Sequence, residues 1–349
     1  MARILYAVQG EGMGHAIRSS VIIRYLLKKH ELVIVSSNRA YRFLLNKFDN
    51  VYNIYGFHIV YKNNAVDNLK TFVQNVRKLP EGSVNNLRKL IKLIYRFNPN
   101  IIISDFEPFS YLVGTLFGIP IIGIDNIHIA KLCRLSIPKK YKKHYMTASL
   151  CPRSLGIKAD YYLIPTFFYP KKKNPRKIFL VPPVIRDEII TSKPTDKSHV
   201  LVYQTSKSYK ALIRLLKKID QKFVIYGFNR KSRFSNIVFK RFDERNFIED
   251  LTSCKAVITN GGFGVITEAI YLHKPILSVP VKKNFEQITN AIYVQELGYG
   301  KFYEELTTQD IEEFLLALPL YKKRLQHYSQ KGNTLLFKKL DQIIKRLVS

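Results

Sequence analysis

The sequence is short of cysteine, of long apolar runs and of acid, and each shortage excludes something. Three cysteines stand among 349 residues. Cys133, Cys151 and Cys254 are far apart and odd in number, so they suggest neither a disulfide framework nor a metal-ligand set. That usage fits a reducing cytoplasm. No window approaches the ~18 consecutive apolar residues of a membrane span. The first apolar run, ILYAV, is too short for a secretory signal. The expected location is therefore cytoplasmic, at most peripheral on the inner face of the cell membrane. Acids number 26 against 57 Lys and Arg, a formal charge of +31. Such a balance suits an anionic membrane surface, a lysine-rich solvated surface or, least favoured, nucleic acid. No Asp-x-Asp stands where it would bind a divalent ion, so no metal is expected.

What the sequence does hold is alternation. ILYAVQ (4–9), ELVIVSS (31–37), IIISDF (101–106) and PIIGIDN (120–126) are short, continuously apolar strand candidates, and helical periodicity separates them. Residues 66–97 are helical in period with a break at Pro80-Glu81-Gly82. A second series runs from HVLVYQT (199–205) through KFVIYGF (222–228), NIVFKRF (236–242) and AVITN (256–260). The expected fold class is α/β, with two Rossmann-like doubly wound halves. The length agrees, since one core rarely supports more than ~250–300 residues. The expected bounds are a first domain over 1–182, a Pro-rich linker over 183–197, a second domain over 198–330 and a last helix over 331–349.

Each half carries a glycine loop between a strand and a helix. GEGMGH (10–15) resembles a dinucleotide fingerprint but has His15 where the last glycine belongs, and Ser36, Ser37 and Asn38 where an acid belongs. NAD and FAD are therefore not expected. Gly12, Met13 and Gly14 make a small loop through which a substrate could approach His15. In the second half Asn260, Gly261, Gly262, Phe263 and Gly264 feed a helix start, where backbone N–H groups and the helix dipole favour an anion. Thr267 and Glu268 follow on that helix, and Glu268 could accept two hydrogen bonds from a ribose diol. Glu286, Gln287 and Asn290 lie on the next helix. Gln287 and Asn290 share a face, and amides suit sugar hydroxyls. The Thr205-Ser206 loop could donate to a diphosphate, and the loop Phe242–Phe247 could hold a base.

Gly12-Met13-Gly14-His15, together with Asn260-Gly261-Gly262, Thr267-Glu268-Ala269, Lys274-Pro275, Glu286-Gln287 and Asn290-Ala291, resembles the GT-B glycosyltransferases. The similarity points towards the UDP-glycosyltransferases and the peptidoglycan GlcNAc transferase that makes lipid II. Two departures stand out: Asn260 where relatives carry histidine, and Glu286 where they often carry aspartate. The resemblance implies two domains facing a cleft, with C-terminal helices that can cross back to the first domain. It implies inverting transfer of a sugar, a hexosyl transfer from a UDP-sugar co-substrate, with no obligatory cofactor or metal. It also implies that His15 is the base and that Asp105, in Ser104-Asp105-Phe106 before Gly118-Ile119-Pro120, orients it. The chemistry agrees, because imidazole titrates near neutral pH and a carboxylate stabilises the imidazolium that forms. A helix cap is the competing duty for Asp105. Asp125, Asn126 and His128 are further candidates on the acceptor side.

Two basic segments, 131–144 and 171–177, interleave with Tyr141, Tyr145, Phe167, Phe168 and Tyr169. Basic residues with aromatics suit an anionic membrane and so a lipid-linked hydroxyl acceptor. A nucleotide-sugar 2-epimerase of the same architecture and a non-catalytic nucleic-acid-binding protein are the alternative readings.

Overall fold

The computed structural model describes residues 1–56, 61–62, 65–66, 84–146, 158–204 and 210–348. Most of the expected helix over 66–97, its break at residues 80–82, Cys151 and the Thr205-Ser206 loop lie outside them. The chain divides into two units. One comprises Met1–Ile59, Asn68–Arg186 and Lys331–Ser349; the other comprises Val60–Asp67 and Asp187–Gln330. Within 183–197, residues from Asp187 onward belong to the second unit. Asp187–Ile190 is helical there, and Thr195 and Lys197 donate backbone hydrogen bonds to Thr252 and Ser253.

The first unit is built on a seven-stranded sheet. Its order is Ile178–Val181, Tyr161–Pro165, Ile121–Ile124, Ile101–Asp105, Arg3–Val8, Glu31–Ser36 and Val51–Asn53, with every neighbouring pair parallel. Strands buried on both faces need side chains that are apolar throughout, and Ile4 to Val8 and Ile101 to Ile103 are fully buried. Val8 pairs with both Ser36 and Asp105, so three strand ends share one edge. The strand order reverses between Arg3–Val8 and Ile101–Asp105. That is the switch point at which open α/β sheets take ligands.

The second unit repeats the plan with seven strands in the order Ser232–Phe234, Ile237–Phe239, Lys222–Tyr226, His199–Tyr203, Ala256–Thr259, Ile276–Ser278 and Gly300–Phe302. Its switch point lies between His199–Tyr203 and Ala256–Thr259, whose last residues pair. The two outermost strands are three residues each and carry too little pattern to be read from sequence. Of the stretch 242–247 only Phe242 and Asp243 are loop. Asp243 caps a helix over Glu244–Ser253 by accepting from the Asn246 N–H at 2.9 Å.

The last helix, Thr334–Val348, completes the core of the first unit with Leu336, Leu340, Ile343 and Ile344. Phe337 stacks on Tyr25 with ring centroids 3.8 Å apart. Asp341 accepts from the Tyr25 hydroxyl at 2.7 Å and from Lys29 Nζ at 2.6 Å. The apolar stripe therefore matters more than the partly exposed ion pair. Leu340→Ala should destabilise the protein by about 2–5 kcal/mol, seen as a lower urea midpoint. An unchanged midpoint would mean that the helix does not seal this core.

Candidate active site

In the first unit the helix after the first glycine loop begins at Met13, three residues before the apolar periodicity that starts at Ala16. Gly12 sits before it at φ 85°, a left-handed conformation that glycine adopts without strain, and no side chain caps the start. His15 therefore lies on the first turn rather than in the loop. Gly12 and Gly14 are exposed and Met13 is half-buried. His15, Arg18 and Ser19 fall at i, i+3 and i+4 and share one face.

That face meets Asp105, the last residue of its strand and fully buried. His15 Nδ1 is 2.7 Å from Asp105 Oδ1. Arg18 donates twice, from Nε to Oδ2 at 2.8 Å and from Nη2 to Oδ1 at 2.5 Å. Ser19 Oγ donates to Oδ2 at 2.9 Å. Burial by itself would raise the Asp105 pKa. The charges of Arg18 and His15 and their hydrogen bonds outweigh it and hold the carboxyl well below the usual range. Asp105 is thus an anion that fixes the His15 ring with Nδ1–H inward and leaves Nε2 as the proton acceptor. The His15 side chain is 14% exposed. Sequence reasoning missed Arg18 and Ser19, although a charge on an otherwise apolar helix face was a legible signal.

The capping duty considered for Asp105 falls to Glu107. Its carboxylate accepts from the Phe109 and Ser110 N–H groups at 3.1 and 2.6 Å. Between them Phe106 takes a left-handed φ of 57°, and its ring lies edge-on to His128 at 5.4 Å. Asp125 and His128 form a second pair, Oδ2 to Nδ1 at 2.6 Å, with both side chains fully buried. His128 packs against Tyr162 with ring centroids 4.9 Å apart. Within the pair, His128 Nε2 is buried and has no hydrogen-bond partner among the described residues. Asn126 ties the two together by accepting from Arg18 Nη1 at 2.7 Å.

The second unit presents the other glycine loop. Gly261 takes φ 90°, and a Cβ there would lie 2.8 Å from the Gln287 carbonyl oxygen, so only glycine fits. The helix Phe263–Tyr271 starts after Gly262 with no side-chain cap. Gly262 is half-buried and Gly264 exposed, and a Cβ at either would meet open space. Phe263, Thr267 and Glu268 are buried, and Thr267 Oγ1 bonds back to the Gly264 carbonyl at 3.0 Å. Glu286 is half-buried in the first turn of the helix Phe285–Glu296.

Asn290 and Gln287 brace the loop. Asn290 Nδ2 donates to the Gly261 carbonyl at 3.0 Å, and Gln287 Oε1 accepts from the Val281 N–H at 2.9 Å. Asn260 is buried and donates to the Val279 carbonyl at 3.2 Å. Gln204, at the same switch point, is fully buried, and neither of its amide atoms has a partner among the described residues. Phe242, 47% exposed, lies against Tyr203, Tyr226 and Phe247 in an aromatic cluster. Among the described residues no group of three or more His, Cys, Asp or Glu converges as a metal site.

Two expectations follow from the buried charges. Asp105→Ala strands the Arg18 guanidinium and should cost about 3–5 kcal/mol of stability, read by denaturant titration; a loss under 1 kcal/mol would contradict the pairing. Burial pushes the Glu107 carboxyl up from its ordinary 4.5 to about 7, against the lowering pull of its N–H donors. A raised folded pKa favours the fold at acid pH, and that contribution is lost as pH rises from 4.5 through 7. Glu107→Gln should flatten this part of the melting-temperature profile, and an unaltered slope would count against the assignment.

The chain can now be compared with known proteins. A family model described as glycosyl transferase family 1 matches residues 2–319. An uncharacterised glycosyltransferase of Methanosarcina mazei is 24% identical over 375 residues, covering 96% of this chain and 94% of the relative. One from Methanosarcina acetivorans is 28% identical over 261 residues, covering 64% of this chain but only 65% of the relative. Among solved structures, the calicheamicin glycosyltransferase CalG4 superposes with a TM-score of 0.70 at 16% identity, each chain covered completely. UGT2 of Phytolacca americana, complexed with UDP-2fluoro-glucose and pterostilbene, gives 0.70 at 13% identity, also over the whole of both chains. These structures share the GT-B fold with this protein. With the family matched over nearly the whole sequence, the chain belongs to glycosyl transferase family 1 and is a glycosyltransferase.

Proposed function

We propose that this glycosyltransferase moves a hexosyl group from a UDP-sugar to a hydroxyl acceptor with inversion and without an obligatory metal. The observation that carries the reading is the 2.7 Å contact between His15 and an ionised, buried Asp105 at a switch point. His15 Nε2 takes the acceptor proton as the hydroxyl oxygen attacks the anomeric carbon. The bond from that carbon to the diphosphate breaks, and the nucleoside diphosphate leaves with the electron pair. Asp105 stabilises the imidazolium. In the second unit the uncapped helix start after Gly262 receives the diphosphate. Glu268 takes the ribose, Glu286 and Gln287 take the sugar, and the aromatic cluster around Phe242 takes the base. The UDP preference is supported by the fold shared with a plant protein complexed with UDP-2fluoro-glucose.

A membrane-associated, lipid-linked acceptor is the further part of this reading. Cys133–Arg134 pairs antiparallel with Lys171–Lys172, which joins the two basic segments into one ribbon. Arg134, Lys139, Lys140, Lys142, Lys143, Lys171, Lys173, Arg176 and Lys177 are exposed on it. Of the interleaved aromatics, Tyr141, Phe167 and Phe168 are buried, so exposed Tyr169 and Met146 are the apolar groups that could meet lipid. Among the described residues no helix is long and apolar enough to cross a membrane.

His15→Ala should cut transfer by ~10²–10⁴-fold with donor binding nearly kept. Near-normal turnover would remove His15 from the role. Glu268→Ala should instead weaken donor binding by about tenfold or more. A thermal-shift screen against a panel of nucleotide-sugars reads that binding, since a ligand held only by the folded state raises its stability. Sedimentation with anionic vesicles at low salt tests the surface, and a protein that stays in the supernatant would refute that part.

A further inference from the structure

Arg18 is 7% exposed on a helix whose Arg24 faces solvent. Burying a guanidinium is costly unless every direction is answered, and here the answers converge on the His15 site. The fork grips both Asp105 oxygens, Nη1 reaches Asn126, and Nη2 stands 2.8 Å from His15 Nδ1. We propose that Arg18 is a positioning residue of the transfer reaction. It locks the Asp105 carboxylate under the His15 ring and balances its charge. This rests on the reading of His15 as the base.

A lone histidine–aspartate pair offers the new imidazolium an uncompensated carboxylate. In this protein the carboxylate already answers a permanent cation. Arg18 carries no acceptor, so its Nη2 and the His15 Nδ1–H both donate to the single atom Asp105 Oδ1. The two donors are held close by the oxygen they share. A proton on Nε2 then places two positive groups side by side. The anchoring of Arg18 by Asn126 makes the arrangement rigid, which lysine could not reproduce with one ammonium.

Other ionisable groups face this cluster. From the first strand comes Tyr6, whose phenol is raised above its ordinary value by burial and by the Asp105 charge. From the helix Pro108–Leu116 comes Tyr111, raised well above its ordinary value by burial and by Asp125. Both stay neutral across the useful pH range. Asp125 is occupied by His128, and Glu11 lies in the loop before the helix. Burial pushes the carboxyl of Glu107, two residues from Asp105, up to about 7, so the test is run with Glu107→Gln in every sample.

The test is an NMR titration of the His15 Cε1–H signal in the full chain, assigned with His15→Gln. Arg18→Met should raise the His15 pKa by about one unit or more. Arg18→Gln, neutral but still able to donate to Asp105, should raise it too and serves if the methionine variant does not fold. Arg18→Lys keeps the charge and should leave the titration near wild type while lowering kcat by about tenfold. A folded neutral variant with an unmoved His15 titration overturns the proposal, and so does a lysine variant that titrates like the neutral ones. The titration needs no substrate. A shifted His15 in a protein that transfers no sugar would refute the proposed function and the role of Arg18 in transfer, leaving only its coupling to His15; an unmoved His15 in a protein that does transfer sugar would refute this inference and leave the proposed function standing.

Discussion

The first unit depends on one buried ion pair. Asp105 closes a strand in the middle of the sheet, where water cannot reach it. A carboxylate in that position must be paired or protonated. The pairing comes from a single helical turn, because Arg18 and Ser19 lie three and four residues after His15. Satisfying Asp105 therefore sets the rotation of the helix Met13–Leu26 about its axis. Once the helix is so set, His15 has no freedom about which ring nitrogen faces inward. Stability and chemistry use the same contacts, and the same face of the helix continues into the apolar core through Ile22, Ile23 and Leu26, seven, eight and eleven residues after His15.

The second unit reaches a similar end without charge. Its loop is held by amides that act on carbonyl groups or on neighbouring backbone: Asn290 on the Gly261 oxygen, Asn260 on the Val279 oxygen, Gln287 on the Val281 N–H. None of these uses the N–H groups at the start of the helix Phe263–Tyr271. The bracing is compatible with an anion site because it leaves the donors alone. This also sharpens what Gln287 and Asn290 do. Sequence suggests sugar ligands, and Asn290 commits one of its two N–H donors to the loop. Gln287 spends only its oxygen, and its Nε2 has no partner among the described residues.

Much of this was legible before any coordinates. Strands buried on both faces announce themselves as apolar runs, so Arg3–Val8, Ile101–Asp105 and Ala256–Thr259 could be placed to within a residue or two. His15 and Asp105 were legible because each follows or ends such a strand and because the resemblance named them. Arg18 left a signal of its own, a charge four residues before Ile22 on the apolar face, but periodicity says nothing about the partner such a charge would meet. Glu107 was hidden for a similar reason: Asp105 was the obvious cap by position, yet Phe106 turns the chain so that the cap falls two residues later. The burial of Phe167 and Phe168 was also illegible, because an aromatic beside lysines reads the same whether it faces lipid or a core.

The path of the chain adds a constraint that neither site shows alone. It leaves the first unit after Arg186 and returns at Lys331. On the first-unit side these two passages are fastened to each other. The Ile185 N–H donates to Asn333 Oδ1 at 2.9 Å, and Asn333 Nδ2 donates to the Ile185 carbonyl at 2.7 Å. Both residues are buried, so the pair is shielded from competing water. The last helix can then reach its place beside Tyr25 only after residues 187–330 have been made. The core that orients the helix of His15 and Arg18 includes Leu336, Leu340 and Ile343 from that returning segment. In chain order, the His15–Asp105 cluster is begun by residue 15 and its supporting core is finished by residue 344, with the second unit's residues 187–330 in between. A first unit cut before Lys331 lacks part of the wall against which its own active-site helix is set.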